Sequence, residues 1–148
     1  MKVCVDTTVL IDVLKNEFPD VQESFYHAIA SREMLAAPPA VVAELMPQFR
    51  GDMKLMEAFL KDHKLNIEVL GTEAARLAGA RWMEYLKRKT RARCPNCDQV
   101  LPFREHFLSD FYIGGFALAH CDAILTRDRG VYAKYFPDLK RYDGVPGA

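Results

Sequence analysis

The stretch "VCVDTTVLIDVL" (residues 3–14) changes its period at Asp6. Val3, Cys4 and Val5 make an unbroken apolar run, the pattern of a strand covered on both faces. Val9, Leu10, Val13 and Leu14 instead recur at the spacing of one helix face. The chain therefore passes from strand to helix with a carboxylate at the join. Asp6 or the threonines after it could cap the helix by accepting from its first N–H groups. Alternatively, Asp6 ends the first strand of an open α/β sheet, where such sheets place their chemistry. The choice depends on what else reaches that edge.

Outward from this stretch, strands and helices alternate. Residues 2–6 form the first strand, and its helix runs to about Asn16. Pro19 opens a second helix with Val21, Phe25, Ala28 and Ile29 at helical spacing. "MLAAP" (34–38) reads as a second strand stopped by Pro38 and Pro39, which also suit the first turn of a third helix, "PPAVVAELMPQF". "GDMKLMEAFLKDH" (51–63) reads as a fourth helix with Met53, Met56 and Leu60 inward, and "LNIEVLG" (65–71) as a third strand ended by Gly71. Thr72 is placed to cap a long helix with Ala75, Leu77, Ala78, Trp82 and Leu86 as its buried set. A further helix spans about His106 to His120, "AILT" (123–126) is a fourth strand, and "GVYAKYF" (130–136) a last short helix before "LKRY". Strands separated by helices predict a three-layer α/β/α sandwich with a mainly parallel sheet.

The chain has 148 residues, 50% hydrophobic and 27% charged, which suits one globular domain spanning 1–148. No apolar run approaches the ~20 residues of a membrane span. Asp6 and Asp12 interrupt the apolar N-terminal stretch, unlike a signal peptide, so a cytoplasmic location is expected. The four cysteines are then thiols or metal ligands rather than disulfides. Twenty basic residues balance twenty acidic ones, and local patches rather than totals govern binding to nucleic acid.

Four carboxylates occupy places a packed domain does not choose without reason. Asp6 ends the first strand, Glu44 interrupts the apolar "VVAEL", Asp110 begins "DFYIGGFALA", and Asp128 follows the fourth strand. Singly, each has an ordinary explanation as a cap, a solvent stripe, a helix-dipole partner or a turn residue. Jointly they point elsewhere, because the carboxyl ends of parallel strands share one edge. Ile113, Gly114, Ala117 and Cys121 lie on the same helix face as Asp110 and should press it toward the sheet. Gly114 and Gly115 each cost ~1 kcal/mol in a helix relative to Ala, which close packing would offset. Crowded carboxylates repel unless cations neutralise them, and an all-oxygen set suits Mg²⁺ or Mn²⁺. Such ions activate water and stabilise charge on an attacked phosphate, so the expected chemistry is phosphodiester hydrolysis.

"VDTTVLIDVL", "VVAEL", "DFYIGGFALA" and "AILTRDRG" resemble, in order and over nearly the whole chain, the motifs of PIN-domain ribonucleases, especially VapC-like toxins. The resemblance implies a compact α/β/α domain that cuts RNA with Mg²⁺ or Mn²⁺ held by Asp6, Glu44, Asp110 and Asp128. It implies support from Thr7 and Thr126, a homodimer, and a VapB-like antitoxin that fills the acidic cleft. PIN domains also occur as stand-alone RNA-processing nucleases. A phosphatase or receiver domain also places Asp after a first strand, but Thr8 stands where a haloacid-dehalogenase needs a second Asp, and "DTTVL" lacks a receiver's acidic pair.

Residues 90–105 read as an insertion that compact members of that family lack. Cys94 and Cys97 have zinc-knuckle spacing, His106 is the nearest third ligand, and Cys121, His120, His63 or a partner chain could complete the site; an unmetallated thiol pair is the other reading. Cys4 reads as a core residue. Lys87, Arg88, Lys89, Arg91 and Arg93 form a basic run: a solvated helix end suited to the dipole, a track for the RNA backbone, or a grip on an acidic antitoxin segment. Arg127 and Arg129 flank Asp128 and either contact phosphate or balance the acids. A non-catalytic RNA-binding protein using the basic run and the Cys pair is the competing class.

Overall fold

The computed structural model describes residues 1–101 and 105–144; residues 102–104 of the expected insertion lie outside the described residues. Four strands, β1 (Lys2–Val5), β2 (Met34–Ala37), β3 (Leu65–Ile67) and β4 (Ala123–Leu125), form one sheet in the order β3-β2-β1-β4. All its pairings are parallel, with Cys4 level with Ala36 and Ile124. Seven helices connect and cover the strands: α1 (Thr7–Lys15), α2 (Pro19–Ala30), α3 (Pro39–Leu45), α4 (Met53–Asp62), α5 (Gly71–Arg91), α6 (Leu108–His120) and α7 (Arg129–Tyr135). The expected α/β/α sandwich is the observed one. No helix among the described residues is long and apolar enough to cross a membrane.

Both faces of β1 are buried, as the unbroken Val3–Val5 run requires. The Cys4 thiol faces α6, 3.9 Å from the Ile113 carbonyl, so alternation turns Val3 and Val5 to the opposite layer. Cys4 is thus the core residue expected. Helix α6 carries Phe111, Ile113, Phe116 and Ala117, all fully buried. It lies on the sheet with α5 outside it. Gly115 makes that approach close: a Cβ there would sit 2.5 Å from the Ala74 carbonyl oxygen.

Several local expectations shift. The third helix ends at Leu45 and continues as a 3₁₀ turn, Met46–Phe49, because Pro47 cannot supply an α-helical N–H. Helix α5 begins at Gly71, so Thr72 lies inside it and does not cap. Its buried stripe is Ala74, Ala78 and Tyr85; Leu86 is exposed, as is Met53 of α4. The stripe follows α6, a narrower contact than the apolar count suggested. Helix α6 starts at Leu108, two residues later than expected.

Candidate functional site

The β1–α1 junction delivers Asp6 at the centre of the sheet, between β2 and β4. Its backbone is extended (ψ 151°) and its side chain caps nothing, so the cap reading fails for Asp6. It fails equally for Thr7 and Thr8, which lie inside α1. The Asp6 carboxylate is instead held from above and beside: Oδ2 accepts from Thr126 Oγ1 at 2.7 Å and from Thr8 Oγ1 at 3.0 Å. Burial drives its pKa up to about 6, the two hydroxyls pull it down, and the charge of Asp110 pushes it up again.

Thr7 links Asp6 to the second acid, its hydroxyl donating to Glu44 Oε1 at 2.9 Å. Glu44 reaches across from α3 and is raised by burial and by Asp6, against the Thr7 bond. Asp128 lies just beyond β4, where its N–H donates to Thr126 Oγ1 at 3.0 Å. Oδ1 of Asp128 caps α7 by accepting from Gly130 N–H (2.8 Å) and Val131 N–H (3.4 Å), so a turn role is realised at that oxygen. Asp110 sits in the first turn of α6, where Oδ2 accepts from the Phe107 N–H at 3.2 Å. The Tyr132 hydroxyl, buried and without a hydrogen-bond partner among the described residues, feels Asp6, Asp110 and Asp128 together; burial first, then these charges, pushes its pKa well up. The charges of Asp6, Asp110 and Asp128 meet at Tyr132, and Glu44 joins them through the charge of Asp6.

No group of three His, Cys, Asp or Glu side chains among the described residues forms a ready-made metal cage. The donor set nevertheless fits a hard divalent ion. Mg²⁺ retains several waters and takes only one or two carboxylates directly. A cation would offset the burial that raises Asp6 and Glu44 and the smaller pushes from Asp110 and Asp6, and an ion-bound water would suit the unpartnered Tyr132 hydroxyl.

Arg127 serves balance rather than the open site. Its Nε donates to Asp12 Oδ2 at 2.9 Å, and its guanidinium lies 4.1 Å from the Phe18 ring centroid. Asp12 is fully buried on the inner face of α1, with Oδ1 lacking any partner among the described residues. Removing one member of a buried pair leaves an uncompensated charge. Arg127→Met should therefore lower stability by about 2 kcal/mol, and adding Asp12→Asn should recover most of it. Chemical denaturation of the two variants measures both. Arg127, Arg129 and Arg141 line an open pocket of about 400 Å³ that shares Thr126 with the acidic site.

The basic run is largely engaged: Arg88 pairs with Glu84 (3.3 Å), Lys89 with Glu105 (3.0 Å) and Arg93 with Asp98 (3.6 Å). Lys87 and Arg91 flank an exposed apolar groove along α5, with Met83 and Leu86. The structure does not join His106 to Cys94 and Cys97 as a metal-holding group. His106 is buried against Tyr85 and Tyr135, with ring centroids 5.4 and 5.8 Å apart, and its N–H donates to the Tyr85 hydroxyl. The alternatives are engaged too: Cys121 interacts with Cys4, and the His63 ring lies 4.3 Å from Phe59.

Thr8, Asp12, Tyr132 and Arg141 are additions that the sequence reading lacks. Tyr132 had a signal, one helical turn beyond Asp128. Arg141 had none, since it arrives through a parallel bridge between its backbone and Ile124, and its Nη2 donates to the Thr126 carbonyl at 3.0 Å.

The fold is therefore an α/β/α sandwich with Asp6 and Asp128 at the carboxyl edge of an all-parallel sheet. Neither a protein-family model nor a curated protein matches the chain significantly. Among solved structures, a chain in the crystal structure of VapBC2 from Rickettsia felis bound to a DNA fragment from their promoter is similar, with a TM-score of 0.63. The match covers 95% of this chain and 97% of that one at 19% sequence identity, a likeness of fold.

Proposed function

We propose that this protein is a Mg²⁺- or Mn²⁺-dependent endoribonuclease that hydrolyses RNA phosphodiester bonds, and that it is the toxin of a VapBC-type pair. The observation that carries the reading is the buried Asp6 at the carboxyl end of β1, raised to about 6, with Asp110 acting on it and its own charge felt at Glu44. The fold likeness to VapBC2 supports a VapB-like antitoxin as the partner. A homodimer belongs to the same proposal.

Asp6, Glu44, Asp110 and Asp128 would hold the ion, which supplies a water of lowered pKa and positive charge beside the phosphate. The chain's own residues do the rest. Thr126 and Thr8 fix the Asp6 carboxylate by their hydroxyls, and Thr7 fixes Glu44. Arg129 and Arg141 line the adjoining pocket and would steer the phosphate backbone to the acidic edge.

A cleavage assay on single-stranded RNA, with and without Mn²⁺, tests the proposal. Cleavage should require the ion, stop with EDTA and fall at least ~100-fold in Asp110→Asn. RNA binding without cleavage, unaffected by EDTA, would instead establish a binding protein. Added Mn²⁺ should also raise the melting temperature of the wild-type chain, since an ion that binds only the folded state stabilises it. That shift should vanish in the Asp6→Asn, Asp110→Asn double variant.

A further inference from the structure

Cys94 and Cys97 sit at the tip of a small hairpin that extends beyond the C-terminal end of α5. An antiparallel bridge pairs Arg93 with Val100, and the Leu101 N–H donates to the Ala92 carbonyl at 2.8 Å. Inside it, the Cys94 N–H donates to the Gln99 carbonyl (2.8 Å) and the Asp98 N–H returns to the Cys94 carbonyl (2.9 Å), with Asp98 at a left-handed φ of 56°. The N–H groups of Asn96 and Cys97, then the Cys97 thiol, favour the Cys94 thiolate and lower its pKa. A Cys-x-x-Cys turn whose amides face sulfur offers two preorganised thiolate ligands to a soft, tetrahedral ion.

A structural zinc site needs four ligands, and this chain presents two. No third His, Cys, Asp or Glu joins them among the described residues, and residues 102–104 and 145–148 contain none of these types. A tetrahedral ion held here would take its other two ligands from another molecule. Because the hairpin tip is exposed, an identical tip can meet it, and two copies together supply four thiolates. The surroundings fit such a meeting. Four thiolates around Zn²⁺ carry a net charge of two minus, and Arg93, at the base of the turn, already pairs with Asp98 inside it. Val100 within the hairpin and Phe107 just before α6 are each 70% exposed, large apolar side chains open to a second copy.

We propose that the Cys94–Cys97 hairpin is half of a zinc site, completed by the same two cysteines of a second copy of this chain. Zn²⁺ thereby joins two copies tip to tip, independently of the acidic edge and of any RNA cleavage.

The test uses the full chain, reduced, stripped of metal and kept in excess Mg²⁺ so that hard-ion sites are filled. Zn²⁺ or Co²⁺ is titrated in, with bound metal, absorption spectrum and mass by light scattering as readouts. The expected result is one ion per two chains, the charge-transfer bands of four thiolates with Co²⁺, and a doubling of the metal-free mass that EDTA reverses. Cys94→Ser and Cys97→Ser should each lose all three signals, while Cys121→Ser keeps them and Asp6→Asn keeps them even if no nuclease is present. One ion per chain at unchanged mass, or no bound ion, would overturn the shared site. A doubled mass that resists EDTA but yields to a reducing agent would replace it with an intermolecular disulfide.

Discussion

Asp6→Asn should abolish the proposed metal-dependent RNA cleavage, by at least ~100-fold, and yet leave a protein more stable than the wild type in the absence of metal. The two effects share one cause. Asp6 is 3% exposed, and its folded-state pKa of about 6 lies above that of an unfolded aspartate. A carboxyl group raised in the fold contributes stability that is complete below its unfolded pKa and is lost as pH rises through the folded one. At neutral pH the ionised Asp6 is therefore a cost, at most roughly 3 kcal/mol for a displacement of this size. Asn keeps an oxygen to accept from Thr8 and Thr126 and carries no charge, so the metal-free variant should gain about 1–2 kcal/mol at pH 7.5. The gain should shrink toward pH 5, where wild-type Asp6 is protonated. Denaturation of both proteins across this range measures it; a variant less stable at pH 7.5 would show that the charged carboxylate is not the strained group.

Gly115→Val should cost about 3 kcal/mol or more and lower the melting temperature by about 10 °C. Helix α6 is the inner layer between sheet and α5, and Gly115 is where its backbone meets that of α5. A Cβ would meet the Ala74 carbonyl oxygen at 2.5 Å and the Ala78 nitrogen at 2.9 Å, both main-chain atoms that cannot rotate away. Relief would require α5 to move outward, parting Tyr85 from Phe111 and Tyr135, its neighbours in the aromatic core. Gly79 is the internal control. It lies in α5 with nothing within 4 Å of the place a Cβ would occupy, so Gly79→Ala should be neutral or stabilising by up to ~1 kcal/mol. Thermal melts of the two variants separate close packing from helix propensity.

The alternation of short apolar strands with 3.6-period helices was written in the chain, and with it the parallel α/β/α sandwich. Val3–Val5, Leu35–Ala37 and Ala123–Leu125 are apolar on both sides, and such strands must lie between helical layers. The acids were equally legible, because Asp6 and Asp128 follow strands directly and Glu44 interrupts an apolar helix. These signals are local: a period and a misplaced charge are visible within a dozen residues. The surroundings of the acids are not local. Thr126 reaches Asp6 from 120 residues away, Arg127 finds Asp12 from 115, and Arg141 arrives on a bridge to β4. The burial of His106 against Tyr85 likewise withdrew the third ligand that its sequence position offered to Cys94 and Cys97. Residue spacing determines which face a side chain occupies along its own element. Only the register of strands and the seating of α5 and α6 decide which atoms then come within hydrogen-bonding reach, and so which charges are paired and which are strained.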